Sequence, residues 1–173
     1  MSLFENIRND LKAHGGDWGA QGFWALVVYR FGRWRYHVHP MLLRRFFSLI
    51  YRILFKAVQI ATGIELPCEV EIGSNFVIDH FGGIVINGDT RFGNNCRIRS
   101  GVVIGVKHAN QSAAPVIGNN VDFGAGAKAL GAIVIGNNVL IGTNAVVTKD
   151  VPDNSIAVGV PAVVKPRKLT DDS

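Results

Sequence analysis

This chain of 173 residues has almost no cysteine, no acidic residue between Trp18 and Ile64 and no uncharged apolar run long enough to cross a bilayer. Each shortage excludes something. The two cysteines, Cys68 and Cys96, have neither metal-ligand spacing nor partners for a disulfide framework, which suits a reducing cytosol. Met1–Leu11 is charged and polar, so no secretory leader is expected, and the chain is read as cytoplasmic. Between Trp18 and Ile64 there is no Asp or Glu, yet Arg30, Arg33, Arg35, Arg44, Arg45, Arg52 and Lys56 all fall there, with all three Trp. The net charge of +5 is therefore concentrated near the N-terminus.

What the chain does have is a six-residue period. An apolar residue, often followed by Gly, recurs at Ile72-Gly73, Ile78-Asp79 and Ile84. The register slips by two, then continues at Ile86, Phe92-Gly93, Ile98 and Ile104-Gly105. After an interruption it runs through Ile117-Gly118, Phe123-Gly124, Ala129, Ile135-Gly136, Ile141-Gly142 and Val147. Neither a helix of period 3.6 nor a strand of period two fits this. A β-sandwich predicts turn signals every 8–12 residues, a poorer match. Six residues make one short extended segment and one bend, so three units return the chain over itself and every eighteenth residue should stack. Each buried Ile, Val or Phe is worth roughly 1.5–3 kcal/mol, and about four coils fit between Leu66 and Pro152. The Gly that follows each apolar residue, and the pairs Asn94-Asn95, Asn119-Asn120 and Asn137-Asn138, are expected at bends needing positive φ.

Ahead of the repeat, helices are predicted over about residues 3–13, from Gly22 to Tyr36 and, after Pro40, from Met41 to Thr62. The expected organisation is a helical segment over 1–63, an all-β repeat domain over 64–165 and a tail over 166–173. The third helix is apolar over much of its circumference with basic residues interspersed. Two readings follow: a pack that caps the β-coil and meets neighbouring subunits, or a peripheral contact with the inner face of an anionic membrane. No nucleic-acid motif accompanies the basic residues, so nucleic acid is not an expected partner.

Chemistry is sought where the repeat breaks. Of five histidines only His80 and His108 lie in the repeat region. At Ile78-Asp79-His80-Phe81-Gly82-Gly83 the usual Gly is replaced by Asp-His. Glu65 lies fifteen residues earlier, close to one coil, where its carboxylate could fix the imidazole tautomer and stabilise the imidazolium. The interruption from Gly105 to Val116, which contains His108, is a candidate acceptor-binding loop. Two histidines are too few for the three that a zinc enzyme on this scaffold would need, so no metal is expected.

Taken together, Thr62-Gly63-Ile64-Glu65, Ile78-Asp79-His80, Gly124-Ala125-Gly126-Ala127-Lys128, Ile141-Gly142-Thr143-Asn144-Ala145-Val146-Val147 and Val158-Gly159-Val160-Pro161-Ala162 resemble the serine O-acetyltransferase branch of the hexapeptide-repeat acyltransferases. The resemblance runs from about Ala25 to Lys165. It implies a left-handed parallel β-helix, a homotrimer with active sites in clefts between subunits, and acetyl-CoA as donor. It also implies His80 as catalytic base, Glu65 as its orienting acid and Asp79 as a catalytic and substrate-contacting acid. Gly105, Val106, Ala125 and Thr143 match residues lining the coenzyme channel, and by charge alone Lys149, Arg167 and Lys168 are candidates for its phosphates. The acid used on the amino group corresponds to Asp17, across a shorter spacing.

One departure bears on the acceptor. Where serine enzymes of the family carry Arg-His-Pro, to grip the amino-acid carboxylate, this chain has Ala113-Ala114-Pro115 in a shorter interruption. Without that clamp free serine is expected to bind poorly. The pattern then looks more like relatives that O-acetylate sugars in exopolysaccharide assembly, such as the colanic acid acetyltransferases. The leading expectation is accordingly an acetyl-CoA-dependent O-acetyltransferase acting on a small-molecule or lipid-linked sugar acceptor. Serine O-acetyltransferase, favoured by Asp79, is the alternative. A silent trimeric scaffold is the third reading, opposed by the intact Glu65, Asp79 and His80.

Overall fold

The computed structural model describes residues 3–107 and 113–167. Three helices lead into a parallel β-solenoid: α1 (Leu3–Ala13), α2 (Gln21–Trp34) and α3 (Met41–Thr62), with a short 3-10 turn at Arg35–His37. The second helix therefore ends two residues before the expected Tyr36, and the chain tightens instead of continuing. Gly63 terminates α3 with φ 65°, its N–H bonding to the Gln59 carbonyl.

The strands are β1 (Ile64–Glu65), β2 (Glu71–Ile72), β3 (Val77–Asp79), β4 (Ile84–Ile86), β5 (Arg91–Phe92), β6 (Arg97–Arg99), β7 (Val103–Gly105), β8 (Val116–Ile117), β9 (Asp122–Phe123), β10 (Lys128–Leu130), β11 (Val134–Ile135), β12 (Leu140–Ile141), β13 (Val146–Val147), β14 (Ser155–Val158) and β15 (Val163–Pro166). They form three sheets, the faces of a triangular prism. The first face is β1-β4-β7-β10-β13, the second β2-β5-β8-β11 and the third β3-β6-β9-β12-β14, to which β15 adds antiparallel.

Stacking every eighteen residues holds where the repeat is unbroken: Val85 pairs with Val103, and Lys128 with Val146. Elsewhere the coils differ in length. Val77 pairs with Arg97, twenty residues on, and Arg97 with Asp122, twenty-five on. Register locates both excesses. Two extra residues fall between Asp79 and Val85, at the corner holding His80, and seven fall between Ile104 and Val116. The first lies at the corner between β3 and β4, and the second falls between β7 and β8.

Ile84, Ile98, Ile104, Phe123, Ala129, Ile135 and Ile141 are buried inside the prism. Phe76, Cys96, Val121 and Val139 occupy equivalent inner positions of successive coils, so Cys96 acts there as a small apolar residue, and burial pushes its thiol pKa up.

The corners divide a task assigned jointly to Gly and Asn. Asn95, Asn120 and Asn138, the second member of each pair, take positive φ of 56–58°. The Gly after each apolar residue does not; it permits close approach. A Cβ at Gly118 would lie 2.8 Å from the Gly136 carbonyl carbon, on backbone that cannot yield. The Asn side chains also bond along the prism. Asn75, Asn95, Asn120 and Asn138 each donate through Nδ2 to the next Asn Oδ1 at 2.9 Å, ending on Asn154. Asp153 closes a parallel ladder by accepting the Asn137 N–H at 2.7 Å, and that bond holds its carboxyl below the usual range.

The helices are clamped to the first coils. Tyr29 Oη donates to the Val70 carbonyl, and Arg30 grips both carboxylate oxygens of buried Asp10. Along α3, by contrast, Leu42, Phe46, Leu49, Ile53 and Ile60 form one exposed stripe at alternating spacings of three and four, with a single gap of seven. Among the described residues no helix is long and apolar enough to cross a membrane.

Candidate active site

The extra residues after Asp79 lift His80 out of the regular corner column. Below it the column runs through Gly83, Gly101, Gly126 and Asn144, all at positive φ. His80 itself is held at φ 65°, a left-handed conformation uncommon for a residue with a side chain. It faces a cavity of about 570 Å³ between the β3 end and the turn joining α1 to α2. His14, Asp17 and Gln21 line the helical side, and Asp79, His80 and Arg97 the solenoid side.

His14 fastens the two sides together. Its Nε2 accepts the Ile78 N–H at 3.2 Å, so its Nδ1 carries the hydrogen directed at the Asp10 carbonyl, 2.7 Å away. Both ring nitrogens are used, which makes His14 a neutral structural group. Gly22 allows α2 to close on β3, since a Cβ there would lie 2.2 Å from the Ile78 carbonyl oxygen. Asp17 Oδ1 accepts the Gly19 N–H at 2.7 Å, which shapes the turn.

On the outer face of the third sheet, acids and arginines alternate from coil to coil. Asp79 Oδ2 accepts from Arg97 Nη1 and lies 3.9 Å from Arg99 Nε. Arg99 is committed to the coil below: it bonds both Asp122 carboxylate oxygens and the Phe123 carbonyl, and its hydrogen bond to Asp122 pushes its pKa further up. No metal-holding cluster of three or more His, Cys, Asp or Glu is present among the described residues.

The predicted residues divide. Asp17, Asp79 and His80 share the cavity. Glu65 stacks on Val85, because this coil is twenty residues long; its Oε2 accepts from Gln59 Nε2 at 2.7 Å, and among the described residues the His80 ring makes no hydrogen bond. Ala125 and Thr143 lie on the corner below His80, where the Asn144 N–H bonds the Ala125 carbonyl. Gly105 ends β7 and Val106 follows it at a different corner, between the first and second faces, and Lys149 follows β13 at that same corner. Arg167 donates to the Asn138 carbonyl near the second-to-third corner. His108 and Lys168 lie outside the described residues.

Arg97 was not anticipated from the sequence. Its signal was there: Arg97-Ile98-Arg99 flanks an inward Ile, so both arginines point outward, about one coil after Asp79.

No protein-family model matches the chain. It is 41% identical over 142 residues to the serine acetyltransferase of Helicobacter pylori strain J99, covering 82% of this chain and 79% of that protein. Over 144 residues it is 38% identical to the serine acetyltransferase of Synechococcus elongatus, covering 83% of this chain but 56% of that protein. A crystal structure of serine acetyltransferase from Brucella abortus in complex with coenzyme A superposes with a TM-score of 0.81 at 25% identity, over 95% of this chain and 68% of that one. These relatives overturn the expected sugar or glycan acceptor and the exopolysaccharide-type pattern, including a lipid-linked sugar partner. That expectation rested on the missing Arg-His pair, and loss of one clamp is a weak argument when another guanidinium, Arg97, lines the cavity beside His80.

Proposed function

Because the chain belongs to the serine acetyltransferase family, we propose that it transfers the acetyl group of acetyl-CoA to the hydroxyl of serine, with His80 as general base. The observation that carries this reading is His80, raised on a bulged corner into a cavity shared with two carboxylates and a guanidinium. A ring nitrogen of His80 takes the hydroxyl proton as the serine oxygen attacks the thioester carbonyl. The tetrahedral intermediate then expels the coenzyme thiolate, which receives that proton from the imidazolium. O-acetylserine and free coenzyme A result. No covalent acyl-enzyme is invoked, since Cys68 and Cys96 are both buried. Asp79 and Asp17, which line the cavity with His80, receive the serine ammonium in this reading. Glu65, held by Gln59, is given no step.

A homotrimer is part of the proposal. The residues matched to coenzyme binding are split between the His80 corner, with Ala125 and Thr143, and the opposite corner, with Gly105, Val106 and Lys149. Edges from two copies, laid side by side, would bring these sets together. Backbone N–H groups at the Gly105 corner are then the candidates for holding the developing oxyanion. Lys149, exposed at that corner, suits a coenzyme phosphate, as do Arg167 and Lys168 by charge.

The test follows thiol release from acetyl-CoA with serine, threonine, homoserine and simple sugars as acceptors. Serine is expected to be turned over best, and His80→Ala to lower kcat by about 10²–10⁴-fold with the fold intact. Sugar turnover without serine turnover, or near-normal activity of His80→Ala, overturns the reading.

A further inference from the structure

We propose that Arg97 holds the carboxylate of the amino-acid acceptor. The inference rests on the serine reading above and supplies the group that the Ala113-Ala114-Pro115 segment lacks. Serine is a zwitterion, and a site that takes its hydroxyl to His80 must also match a carboxylate in the same small space. Among the described residues lining the cavity, the titratable groups are His14, Asp17, Asp79, His80 and Arg97. Asp17 and Asp79 have the wrong sign. His14 is fixed as a neutral ring by its bonds to Ile78 and Asp10. His80 is the proposed base. Arg97 is the remaining group and a permanent cation.

Its geometry suits the role. The Arg97 side chain is 43% exposed, and Nη1 is tied to Asp79. Among the described residues Nε and Nη2 have no hydrogen-bond partner, so the two-donor edge of the guanidinium is open. The same edge of Arg30 already grips a carboxylate in this chain, with Nε 2.9 Å from Asp10 Oδ2 and Nη2 3.1 Å from Asp10 Oδ1. A serine carboxylate on Arg97 would repeat that pairing. Arg99, two residues on, cannot serve, because Asp122 and Phe123 occupy it. The Asp79 bond has a second consequence. It holds Arg97 beside an acid, so positive and negative groups stand together as a zwitterion requires.

The experiment compares serine with serinamide, which keeps the amine and the hydroxyl but has no carboxylate. It uses the full chain and its Arg97→Gln and Arg97→Lys variants. The wild type should prefer serine by about 100-fold in kcat/KM, because a site built to bond a group rejects an analogue without it. Arg97→Gln should raise the KM for serine about 100-fold, leave the KM for acetyl-CoA unchanged and bring the serine-to-serinamide ratio near one. Arg97→Lys should regain part of the preference, since it restores charge without the two-donor fork. Equal preference in the wild type and Arg97→Gln overturns the role of Arg97 while leaving the serine reading standing. A wild type that acetylates serine and serinamide equally does the same, even if both variants fail to fold. A wild type that does not acetylate serine at all sinks the serine reading and this inference with it.

Discussion

Asn120 does two things that substitution can separate. Its backbone sits at φ 56°, and its side chain accepts from Asn95 and donates to Asn138. Asn120→Gly keeps the backbone conformation available and breaks the ladder; Asn120→Ala breaks the ladder and adds left-handed strain of about 1–2 kcal/mol. The ladder bonds are exposed, so each contributes toward the lower end of about 0.5–1.5 kcal/mol. Thermal unfolding at fixed protein concentration should rank wild type above Asn120→Gly, with Asn120→Ala lowest. The positive φ was legible in the Asn-Asn pairs. The ladder was not, because it joins residues in different coils and needs their vertical alignment.

Helix α2 and strand β3 meet through glycine, and the cavity wall depends on that contact. Gly22→Ala forces a methyl group into the Ile78 carbonyl, so α2 must shift away from β3. A loss of about 1–3 kcal/mol is expected, as for other overpacked sites. Because Gly22 and Ile78 also line the His80 cavity, the KM for serine should rise together with the fall in melting temperature. An unchanged KM in a destabilised variant would show that the helical wall is not part of the acceptor site. The helices were readable from apolar spacing, and their bounds agree to within a few residues. Which face of α2 meets the solenoid was not readable, since Gly22 and Gly32 look like helix-weakening residues until their neighbours are known. Glu65 shows the same limit. Fifteen residues resembled one coil, but the coil has twenty, so Glu65 stacks on Val85.

At the scale of the whole molecule, the prism has three edges and the proposed chemistry uses two of them. A single chain holds His80 on one edge and Gly105 on another, and a rigid solenoid cannot fold one onto the other. Light scattering should therefore give a mass near three times the 18.8 kDa of one chain, at the concentration used for assay. Full activity from a monomer would rule out a site shared between copies.

The six-residue period was sufficient for the solenoid, its coil number and its buried residues, because a period that short leaves one way to bury an apolar side chain in every unit. The His80 break was equally plain, being a fault in an otherwise regular pattern. Tertiary structure decided which groups share the cavity with His80. Arg97 lines that cavity because β6 lies beside β3 and α1–α2 fold back over both, a juxtaposition that spacing along one chain does not carry. The missing Arg-His pair pointed away from serine, and the relatives point back to it. Charge complementarity depends on which groups meet in space, and here the guanidinium arrives from a neighbouring coil.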